Sequence, residues 1–467
     1  MPKTKIVCTI GPASSSPDTI RAMIQSGMNV ARLNFSHGTH ADHADKIAAI
    51  RTIAAELNQP VAILQDLCGP KIRVGRIPDP GIELKPGETF ILTSDDVMGN
   101  HRRVSVSYRG LPADVNVGDR LLLADGMMDL EVMHSAGSDI TTRVVTGGLL
   151  TSHKGVNLPT GSIRIKALTD KDRTDLQFGL AHDVDYVALS FVRSVDDIKE
   201  IKALIADQGH RTPVVAKIEK HEALDHIDAL IDVADAIMVA RGDLGVEIPL
   251  ENVPNIQKMI INKANRRGRT VIIATQMLRS MVDAPRPTRA EAADVANGVL
   301  DGADAVMLSE ETATGRYPVA AVHYMTNIIR AAEEQFPYQR YRNKLQDLDI
   351  SKSVAAAACS LADNLNAAAI VATTRSGATA RHVARFRPRG LIIALSPSEK
   401  TVRRLAMCWG CIPCYLQLSD DTDEIIEKAA ESALKTGHVK AGDVVVITGG
   451  RPLYAAGTTN MLWVKRL

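Results

Sequence analysis

The chain has 467 residues, which is more than one hydrophobic core usually organises, so we expect two to four domains. Hydrophobic residues make up 45% and charged residues 23% of it, a globular composition that excludes a disordered protein. The 55 basic and 54 acidic side chains leave a formal charge of +1, which argues against nucleic acid or an acidic membrane as the main partner.

Six scattered cysteines do not form the pattern of a disulfide framework, and the N-terminus lacks the pattern of a signal peptide. No apolar run reaches the length needed to cross a bilayer. These features predict a cytoplasmic protein.

From residue 4 to about residue 338 one unit recurs, an apolar strand followed by a loop and an amphipathic helix. The eight strand segments are TKIVCTIG, NVARLNFS, VAILQDL, DYVALSFV, PVVAKIE, AIMVARGDL, TVIIATQM and AVMLSEET. Ser16 and Ser194 stand where helix N-caps are expected. Eight such units predict a closed (β/α)8 TIM barrel, since that number closes a parallel sheet on itself.

The third unit is interrupted, because its helix does not begin until about Thr169. The intervening segment has period-two patterns and many glycines and prolines but no convincing helix pattern. A further series of strands and helices follows the barrel units. The predicted domains are a barrel of residues 1–69 and 166–340, an inserted β-barrel lid domain of residues 70–165, and a C-terminal α/β regulatory domain of residues 345–467.

Active sites of such barrels lie at the carboxyl ends of the strands, and polar residues are dense there. Those that follow or end the predicted strands are Arg32, Asn34, Ser36, Asp66, Lys217, Glu219, Arg241, Asp243, Thr275, Ser309, Glu310 and Glu311. Lys217 and Glu219 are two residues apart, so both should point to the same side of their strand.

Any one charged strand end can simply meet solvent. A lysine and a carboxylate within the apolar segment PVVAKIE, however, are costly to bury unless they are paired or bind a metal. Glu219 and Asp243, from adjacent strands, are therefore the predicted ligands of Mg²⁺ or Mn²⁺, because hard cations prefer carboxylate oxygens. Lys217 would stabilise negative charge that develops on a transferring group.

Several long motifs in the chain are similar to those of one enzyme family. They are ARLNFSHG at 31–38, GPKIR at 69–73, KGVNLP at 154–159, AKIEK at 216–220, VARGDLGVEIP at 239–249, ATQML at 274–278 and LSEETATGRYP at 308–318. Together they resemble the pyruvate kinase family over essentially the full chain. The resemblance implies a glycolytic phosphotransferase that moves the phosphoryl group of phosphoenolpyruvate to ADP.

The resemblance also implies roles for individual residues. Glu219 and Asp243 would hold the metal, Lys217 and Arg32 would act on the phosphoryl group, and the N–H groups of Gly242 and Asp243 with the Thr275 hydroxyl would bind the substrate carboxylate. Thr275, Ser309 and Glu311 would mark a proton route to the enolate.

For the nucleotide, the resemblance implies Asn34, His37, Arg73 and Lys154. Lys154 would reach the nucleotide phosphates only when the lid domain closes. Resemblance also suggests a homotetramer.

One departure from the family concerns the monovalent cation. The family commonly holds K⁺ near Asn34, Ser36, Asp66 and the next residue, which here is Leu67. Members that need K⁺ resemble GPEIR where this chain has GPKIR. We therefore expect the ammonium of Lys71 to replace K⁺, so that activity does not depend on that ion; the alternative is a surface lysine.

In the C-terminal domain the segment TTRSGATARHVARFRPRG follows an apolar strand, and hydroxyls with backbone N–H groups at a helix start can bind phosphate. The family uses this loop for phosphorylated activators. The expected effector residues are Thr374, Arg375, Ser376, Gly377, Thr379 and Arg451. A solvated helix start is the alternative.

Two metal-like patterns carry less weight. The histidines of HEALDH, His221 and His226, are five residues apart and do not share a helix face. The cysteines of CWGCIPC lack a fourth ligand and are expected to be structural thiols. Two other functions remain open: a metal-dependent aldolase or lyase that forms a pyruvate enolate, and a non-catalytic sugar-phosphate sensor.

Overall fold

The computed structural model describes residues 1–159, 161, 164–338, 341, 349–417, 421–451 and 458–467. Its strands, in chain order, are β1 Lys5–Thr9, β2 Val30–Asn34, β3 Ala62–Asp66, β4 Ile82–Leu84, β5 Thr89–Thr93, β6 Arg103–Ser105, β7 Arg120–Leu123, β8 Met128–Ala136, β9 Asp139–Thr146, β10 Gly148–Leu150, β11 Val156–Asn157, β12 Tyr186–Leu189, β13 Val214–Ile218, β14 Ala236–Ala240, β15 Thr270–Ala274, β16 Ala305–Leu308, β17 Ala369–Thr373, β18 Leu391–Ser396, β19 Cys411–Tyr415, β20 Val444–Gly449 and β21 Met461–Arg466.

The α-helices are α1 Pro17–Ser26, α2 His40–Glu56, α3 Leu111–Asp114, α4 Asp170–Ala181, α5 Val195–Asp207, α6 Glu222–Asp225, α7 Ile227–Val233, α8 Arg241–Glu247, α9 Val253–Arg267, α10 Arg289–Leu300, α11 Glu310–Ala313, α12 Pro318–Glu334, α13 Ile350–Asn364, α14 Ala378–Ala384, α15 Glu399–Leu405 and α16 Thr422–Lys435. Short 3-10 helices cover Leu250–Asn252 and Arg279–Val282. Among the described residues, every helix is too short or too polar to pass through a lipid bilayer.

Eight parallel strands close into a barrel in the order β1-β16-β15-β14-β13-β12-β3-β2. The first and last strands meet directly, with Lys5 beside Ala305. Small and aliphatic side chains such as Val30, Ala188 and Met238 fill the interior, so the barrel is a packed core and not a pore. The predicted TIM barrel is therefore confirmed.

The helices around the barrel begin where the local sequence predicts. The Ser16 hydroxyl accepts a hydrogen bond from the Thr19 N–H at the start of α1. Thr169 and Asp172 form a reciprocal capping box at the start of α4. Ser194 likewise precedes α5. Short polar side chains at these positions satisfy N–H groups that have no partner inside the helix.

The interrupting segment is rich in β-structure. Six of its strands form a sheet in the order β11-β7-β8-β9-β5-β6, and β10 pairs with β4. Its core is separate from that of the barrel and includes Phe90, Leu121 and Leu130. The four-residue helix α3 lies within it, although the sequence pattern did not indicate a helix there.

The C-terminal segment forms a five-stranded sheet in the order β19-β18-β17-β20-β21. Four strands are parallel, and β21 runs antiparallel to β20 at the edge. We did not predict β21 from the sequence. Because each segment has its own core, we propose the domain boundaries given above; residue 340, the proposed end of the barrel, lies outside the described residues.

The C-terminal domain closes the amino-terminal end of the barrel. Ala406 and Met407 belong to the same core as the barrel interior. The Tyr186 hydroxyl, on β12, donates to the Arg404 carbonyl at 2.9 Å, and the buried Lys5 ammonium donates to the Cys411 carbonyl at 2.7 Å. The carboxyl ends of the barrel strands therefore form the open mouth.

Candidate active site

Lys217 is the centre of a buried charge cluster at the barrel mouth. Its ammonium lies 2.9 Å from Glu219 Oε1 and 3.2 Å from Asp66 Oδ1. Asp66 is the last residue of β3, and Glu219 directly follows β13. The structure therefore brings Asp66, which is distant in sequence, to the neighbouring pair Lys217 and Glu219.

The pKa values in this cluster reflect burial and mutual attraction. Burial disfavours the Lys217 ammonium, but Asp66 and Glu219 outweigh it and raise the pKa of Lys217 above its usual value. Burial also acts against the Asp66 carboxylate, yet Lys217 and Arg32 lower its pKa. Burial raises the pKa of Glu219, and the charge of Asp243 adds to this effect, so Glu219 favours a nearby cation.

Arg32 packs beside the same cluster. Its Nε donates to Asp66 Oδ2 at 2.6 Å, and its Nη1 donates to the Thr9 hydroxyl at 2.8 Å. Asp66 therefore holds both Arg32 and Lys217 in place, so its position matters for both cations. A phosphate oxygen that approaches the mouth would meet these two cations together.

Two residues of the cluster were missed by the sequence reasoning. Ser190, which follows β12, accepts a hydrogen bond from the Lys217 ammonium at 2.7 Å and donates to the Leu67 carbonyl at 2.8 Å. Thr9 ends β1 and holds Arg32. Both residues lie at the end of a strand, and this position is a signal that could have identified them. Uncharged polar side chains are common at strand ends, however, so the signal does not distinguish these two.

Asp243 does not lie on a strand, contrary to the interpretation of AIMVARGDL as one strand. Strand β14 ends at Ala240, and Arg241–Glu247 forms helix α8. At this turn Arg241 Nη1 donates to Asp294, on α10, at 2.7 Å. Gly242 and Asp243 consequently occupy the first helical turn, with Asp243 close enough to raise the pKa of Glu219.

Thr275 has an unusual backbone at the end of β15. Its φ is +71° and that of Gln276 is +55°, a left-handed conformation that costs free energy for residues with a side chain. This conformation places the Thr275 hydroxyl 2.7 Å from the Gly242 N–H, which donates to it. Two of the predicted carboxylate-binding groups are therefore in direct contact with each other.

Ser309 and Glu311 form a rigid pair after β16. The buried Glu311 carboxylate accepts hydrogen bonds from the Ser309 N–H at 2.7 Å and the Leu278 N–H at 3.0 Å. It thus ties the loop after β15 to the loop after β16. Among the described residues, none forms a hydrogen bond with the buried Ser309 hydroxyl.

The predicted nucleotide residues are more exposed than this cluster, and their contacts are local. Asn34 Oδ1 accepts a hydrogen bond from the Ser36 N–H at 3.1 Å, and His37 is exposed next to them. Arg73 Nη1 donates to the His153 carbonyl at 3.1 Å, which holds its guanidinium along the edge of the lid domain. Lys154 is exposed.

Lys71 reaches from the lid domain to the barrel. Its ammonium lies 3.4 Å from Asp243 Oδ1 and 3.9 Å from Asp125 Oδ1. Leu67 is buried, and its carbonyl is occupied by Ser190. In this arrangement the positive charge of Lys71 lies against a predicted metal ligand.

A second group of potential metal ligands lies nearby. Among the described residues, ligand atoms of His221, Glu222 and Glu247 lie within 4.8 Å of one another. The Lys220 ammonium, however, lies 2.6 Å from Glu247, where it already supplies the positive charge. The predicted pair is likewise next to ammonium groups, since that of Lys217 lies 2.9 Å from Glu219 and that of Lys71 lies 3.4 Å from Asp243.

The predicted effector loop follows β17. Arg375 and Ser376 are exposed, whereas Thr379 is buried and its hydroxyl lies 3.0 Å from that of Thr459. Gly377 has a φ of +83°, the left-handed conformation that suits glycine and turns the chain into α14. Arg451 is exposed, and its N–H donates to Asn460.

The described geometry agrees with what comparison with known proteins shows. A family model described as "Pyruvate kinase, barrel domain" matches residues 1–322, and one described as "Pyruvate kinase, alpha/beta domain" matches residues 352–465. Pyruvate kinase of Clostridium acetobutylicum is 44% identical and covers 100% of this chain and 99% of its own.

Two further relatives are similar over nearly the whole chain. Pyruvate kinase 2 of a Synechocystis strain is 48% identical over 99% of this chain and 79% of its own. Pyruvate kinase of Geobacillus stearothermophilus is 46% identical over 99% of this chain and 80% of its own. The chain therefore belongs to the pyruvate kinase family of phosphotransferases.

Proposed function

We propose that this chain transfers the phosphoryl group of phosphoenolpyruvate to ADP and so forms pyruvate and ATP in the last step of glycolysis. The observation that carries the proposal is the buried Lys217 ammonium, held by Asp66 and Glu219 at the barrel mouth. A cation fixed in a water-poor site stabilises charge that develops during phosphoryl transfer without having to reorient.

Glu219 and Asp243 would hold the divalent cation, Mg²⁺ or Mn²⁺. Their carboxylates are the hard oxygen ligands that such ions prefer, and the raised pKa of Glu219 supports a cation between them. The bound ion would supply positive charge to the substrate phosphate and carboxylate.

Arg32 and Lys217 would act together on the phosphoryl group. Arg32 would hold its oxygens, since a guanidinium binds phosphate through two parallel hydrogen bonds. Lys217 would stabilise both the group in transfer and the enolate left behind. The Thr275 hydroxyl and the N–H groups of Gly242 and Asp243 would orient the substrate carboxylate. Thr275 and Gly242 already lie side by side, and the Gly242 N–H would turn from the Thr275 hydroxyl to the carboxylate.

The enolate must then accept a proton at carbon. Ser309 is a candidate for relaying it, because its buried hydroxyl has no hydrogen-bond partner among the described residues. Glu311 would position Ser309 through the backbone N–H and, through Leu278, the loop that carries Thr275. A water molecule would complete the route.

For ADP we propose contacts from Asn34, His37, Arg73 and Lys154. The exposed Lys154 would meet the nucleotide phosphates when the lid domain closes over the mouth. Closure would also exclude water, which would otherwise compete with ADP for the phosphoryl group.

We propose that Lys71 makes K⁺ unnecessary. Its ammonium already lies at the mouth, 3.4 Å from Asp243, and supplies one fixed positive charge there. The alternative, a surface lysine, is disfavoured because its side chain is mostly covered.

Regulation and assembly are further parts of the proposal. A phosphorylated metabolite would bind the loop of Thr374, Arg375, Ser376, Gly377 and Thr379 opposite Arg451, and the exposed Arg375 supports this role. The active form would be a homotetramer. A cytoplasmic location is supported by the six cysteines, none of which forms a disulfide bond among the described residues, as suits a reducing compartment.

A pyruvate assay from phosphoenolpyruvate, run with and without ADP, tests the proposal. We expect pyruvate and ATP in equal amounts, and only when ADP and a divalent cation are both present. Pyruvate without ADP would indicate a lyase, whereas no turnover with binding of sugar phosphates would indicate a sensor. Glu219→Gln and Asp243→Asn should each be inactive, and added divalent cation should not restore the activity.

A further inference from the structure

A small cleft lies between the barrel and the C-terminal domain. We call it the junction cleft. Its barrel side includes Arg269, Thr270 and Asp304, and its C-terminal side includes Arg381, Arg385 and Arg387. Thr270 begins β15 and Asp304 precedes β16, so the cleft lies at the opposite end of the barrel from the candidate active site.

The charges that line this cleft are strongly unbalanced. Among the described residues of its lining, four are arginines and Asp304 is the one acidic residue. The Asp304 carboxylate is already engaged, with Oδ1 3.1 Å from Arg387 and Oδ2 accepting from the Val271 N–H at 2.9 Å. Arg269 and Arg381 donate to neutral backbone carbonyls. A net positive charge is therefore left in the cleft.

Arg385 has the least satisfied guanidinium of this group. It is only 5% exposed, and its Nη2 donates to the Arg266 carbonyl. Among the described residues, none accepts a hydrogen bond from its Nε or Nη1. Burial lowers the pKa of Arg385, and the charge of Asp349, which is itself paired with Lys352, opposes this only in part.

Arg387 also has a buried guanidinium donor without an acceptor in the described part of the chain, but only one. It is 1% exposed, and its two Nη groups are bonded, but its Nε has no partner among the described residues. Buried charged donors without acceptors cost free energy, and native proteins rarely leave them so. Arg385 and Arg387, which both line the cleft, therefore carry donors that no described residue accepts.

We propose that the junction cleft is a binding site for a phosphate group, held by Arg385 with Arg381 and Arg387 beside it. The ligand is inorganic phosphate or a small phosphate monoester, because a doubly charged tetrahedral anion offers several acceptors to convergent guanidinium groups. This site is distinct from the proposed effector loop, although both involve α14.

The position of the cleft gives the site a consequence. Strand β15 leads from Thr270 to Thr275, and β16 leads from Asp304 towards Ser309. On the other side, Arg381 Nη1 donates to the Ser376 carbonyl in the effector loop at 3.2 Å. A bound phosphate would therefore fasten the C-terminal domain to the two barrel strands that carry candidate active-site residues.

Hydrogen exchange of the 467-residue chain with added inorganic phosphate tests the site, because it reports where protection occurs. We expect slower exchange in segments 266–271 and 381–388 of the wild type. In Arg385→Gln, the phosphate concentration that gives half of the full protection should rise at least about tenfold, since a charge-assisted pair of hydrogen bonds is lost. Arg389→Gln, an exposed arginine nearby, is the matched control and should behave as the wild type.

Arg375→Gln separates the junction cleft from the effector loop. Protection at the junction should persist in this variant. The proposal is wrong if phosphate protects only the barrel mouth or the effector loop, if Arg385→Gln leaves junction protection unchanged, or if chloride at equal ionic strength protects equally well.

A second variant covers the case in which Arg385→Gln does not fold. Arg381 is only partly buried, so Arg381→Gln should fold and still weaken the junction protection. Unchanged protection in Arg381→Gln would then overturn the proposal. Comparing inorganic phosphate with glycerol phosphate identifies the source: protection at a lower concentration of the ester indicates a monoester ligand, and the reverse indicates the free anion.

Discussion

The ammonium of Lys217 lies 2.9 Å from Oε1 of Glu219, two residues further along the chain from the same barrel strand. One residue is the proposed charge stabiliser and the other a proposed metal ligand. Their contact means that the lysine is positioned by one of the proposed metal ligands. Both groups are buried, so this positioning is not lost to solvent.

Replacing Lys217 by alanine should lower kcat by roughly 10²–10³ or more, because a fixed charge next to the transferring group is removed. The KM for phosphoenolpyruvate should change much less. Steady-state kinetics measures both. Lys85→Ala, an exposed lysine in the lid domain, is the control. A preserved kcat with a raised KM would show that Lys217 only binds the ground state.

Asp66 should make stability depend on pH in the acidic range. Lys217 and Arg32 lower the pKa of Asp66 in the folded protein, although burial acts in the opposite direction. The contribution of Asp66 to the unfolding free energy is therefore present above the unfolded pKa of about 3.9 and is lost as pH falls through the folded pKa. Asp66→Asn should cost about 3 kcal/mol near neutral pH, as removal of one partner from a buried pair does.

Denaturant unfolding at a series of pH values measures this effect. The difference in unfolding free energy between the wild type and Asp66→Asn should shrink as pH falls below about 4. A difference that stays constant to the lowest pH at which the protein folds would contradict the assigned direction of the pKa shift.

Lys71 should control the response to K⁺. The wild type should be fully active in K⁺-free buffer, because the Lys71 ammonium supplies the positive charge at the mouth. Lys71→Glu should be active only when K⁺ is added. Lys85→Glu makes the same charge change elsewhere in the lid domain and should show no K⁺ requirement. Strong stimulation of the wild type by K⁺ would end the idea.

Ser309→Ala should separate stability from activity. The buried Ser309 hydroxyl has no partner among the described residues, so its removal should leave the unfolding free energy unchanged or slightly raised. If the hydroxyl relays a proton to the enolate, kcat should fall roughly 10²-fold. Thermal unfolding and turnover are both measured; full activity would remove Ser309 from the proton route.

Lys154→Ala tests closure of the lid domain. The side chain is exposed, so the unfolding free energy should change by no more than about 0.5 kcal/mol. The value of kcat/KM for ADP should fall about tenfold or more, because a charged contact to phosphate is lost in the closed state. Equal kinetics in Lys154→Ala and Lys85→Ala would place Lys154 outside the nucleotide site.

Much of the architecture was accessible from sequence because it depends on local patterns. The apolar strand segments and caps such as Ser16 and Thr169 each act over a few residues, and both helices begin where expected. The same reasoning overextended the sixth strand past Ala240, because nothing in AIMVARGDL marks the turn into α8. The edge strand β21 was missed, although residues 461–464 form a short apolar run before two basic residues.

The polar side chains at the barrel mouth could likewise be predicted from sequence, because they follow the apolar strand segments. Side chains alternate along a strand, which places Lys217 and Glu219 on the same side. Their partners could not. Asp66 and Ser190 reach Lys217 only because the barrel closes with β3, β12 and β13 as neighbours, and the left-handed turn at Thr275 is held by packing between segments. Such contacts join residues distant in sequence, so they depend on the folded arrangement of all eight strands and not on any local pattern.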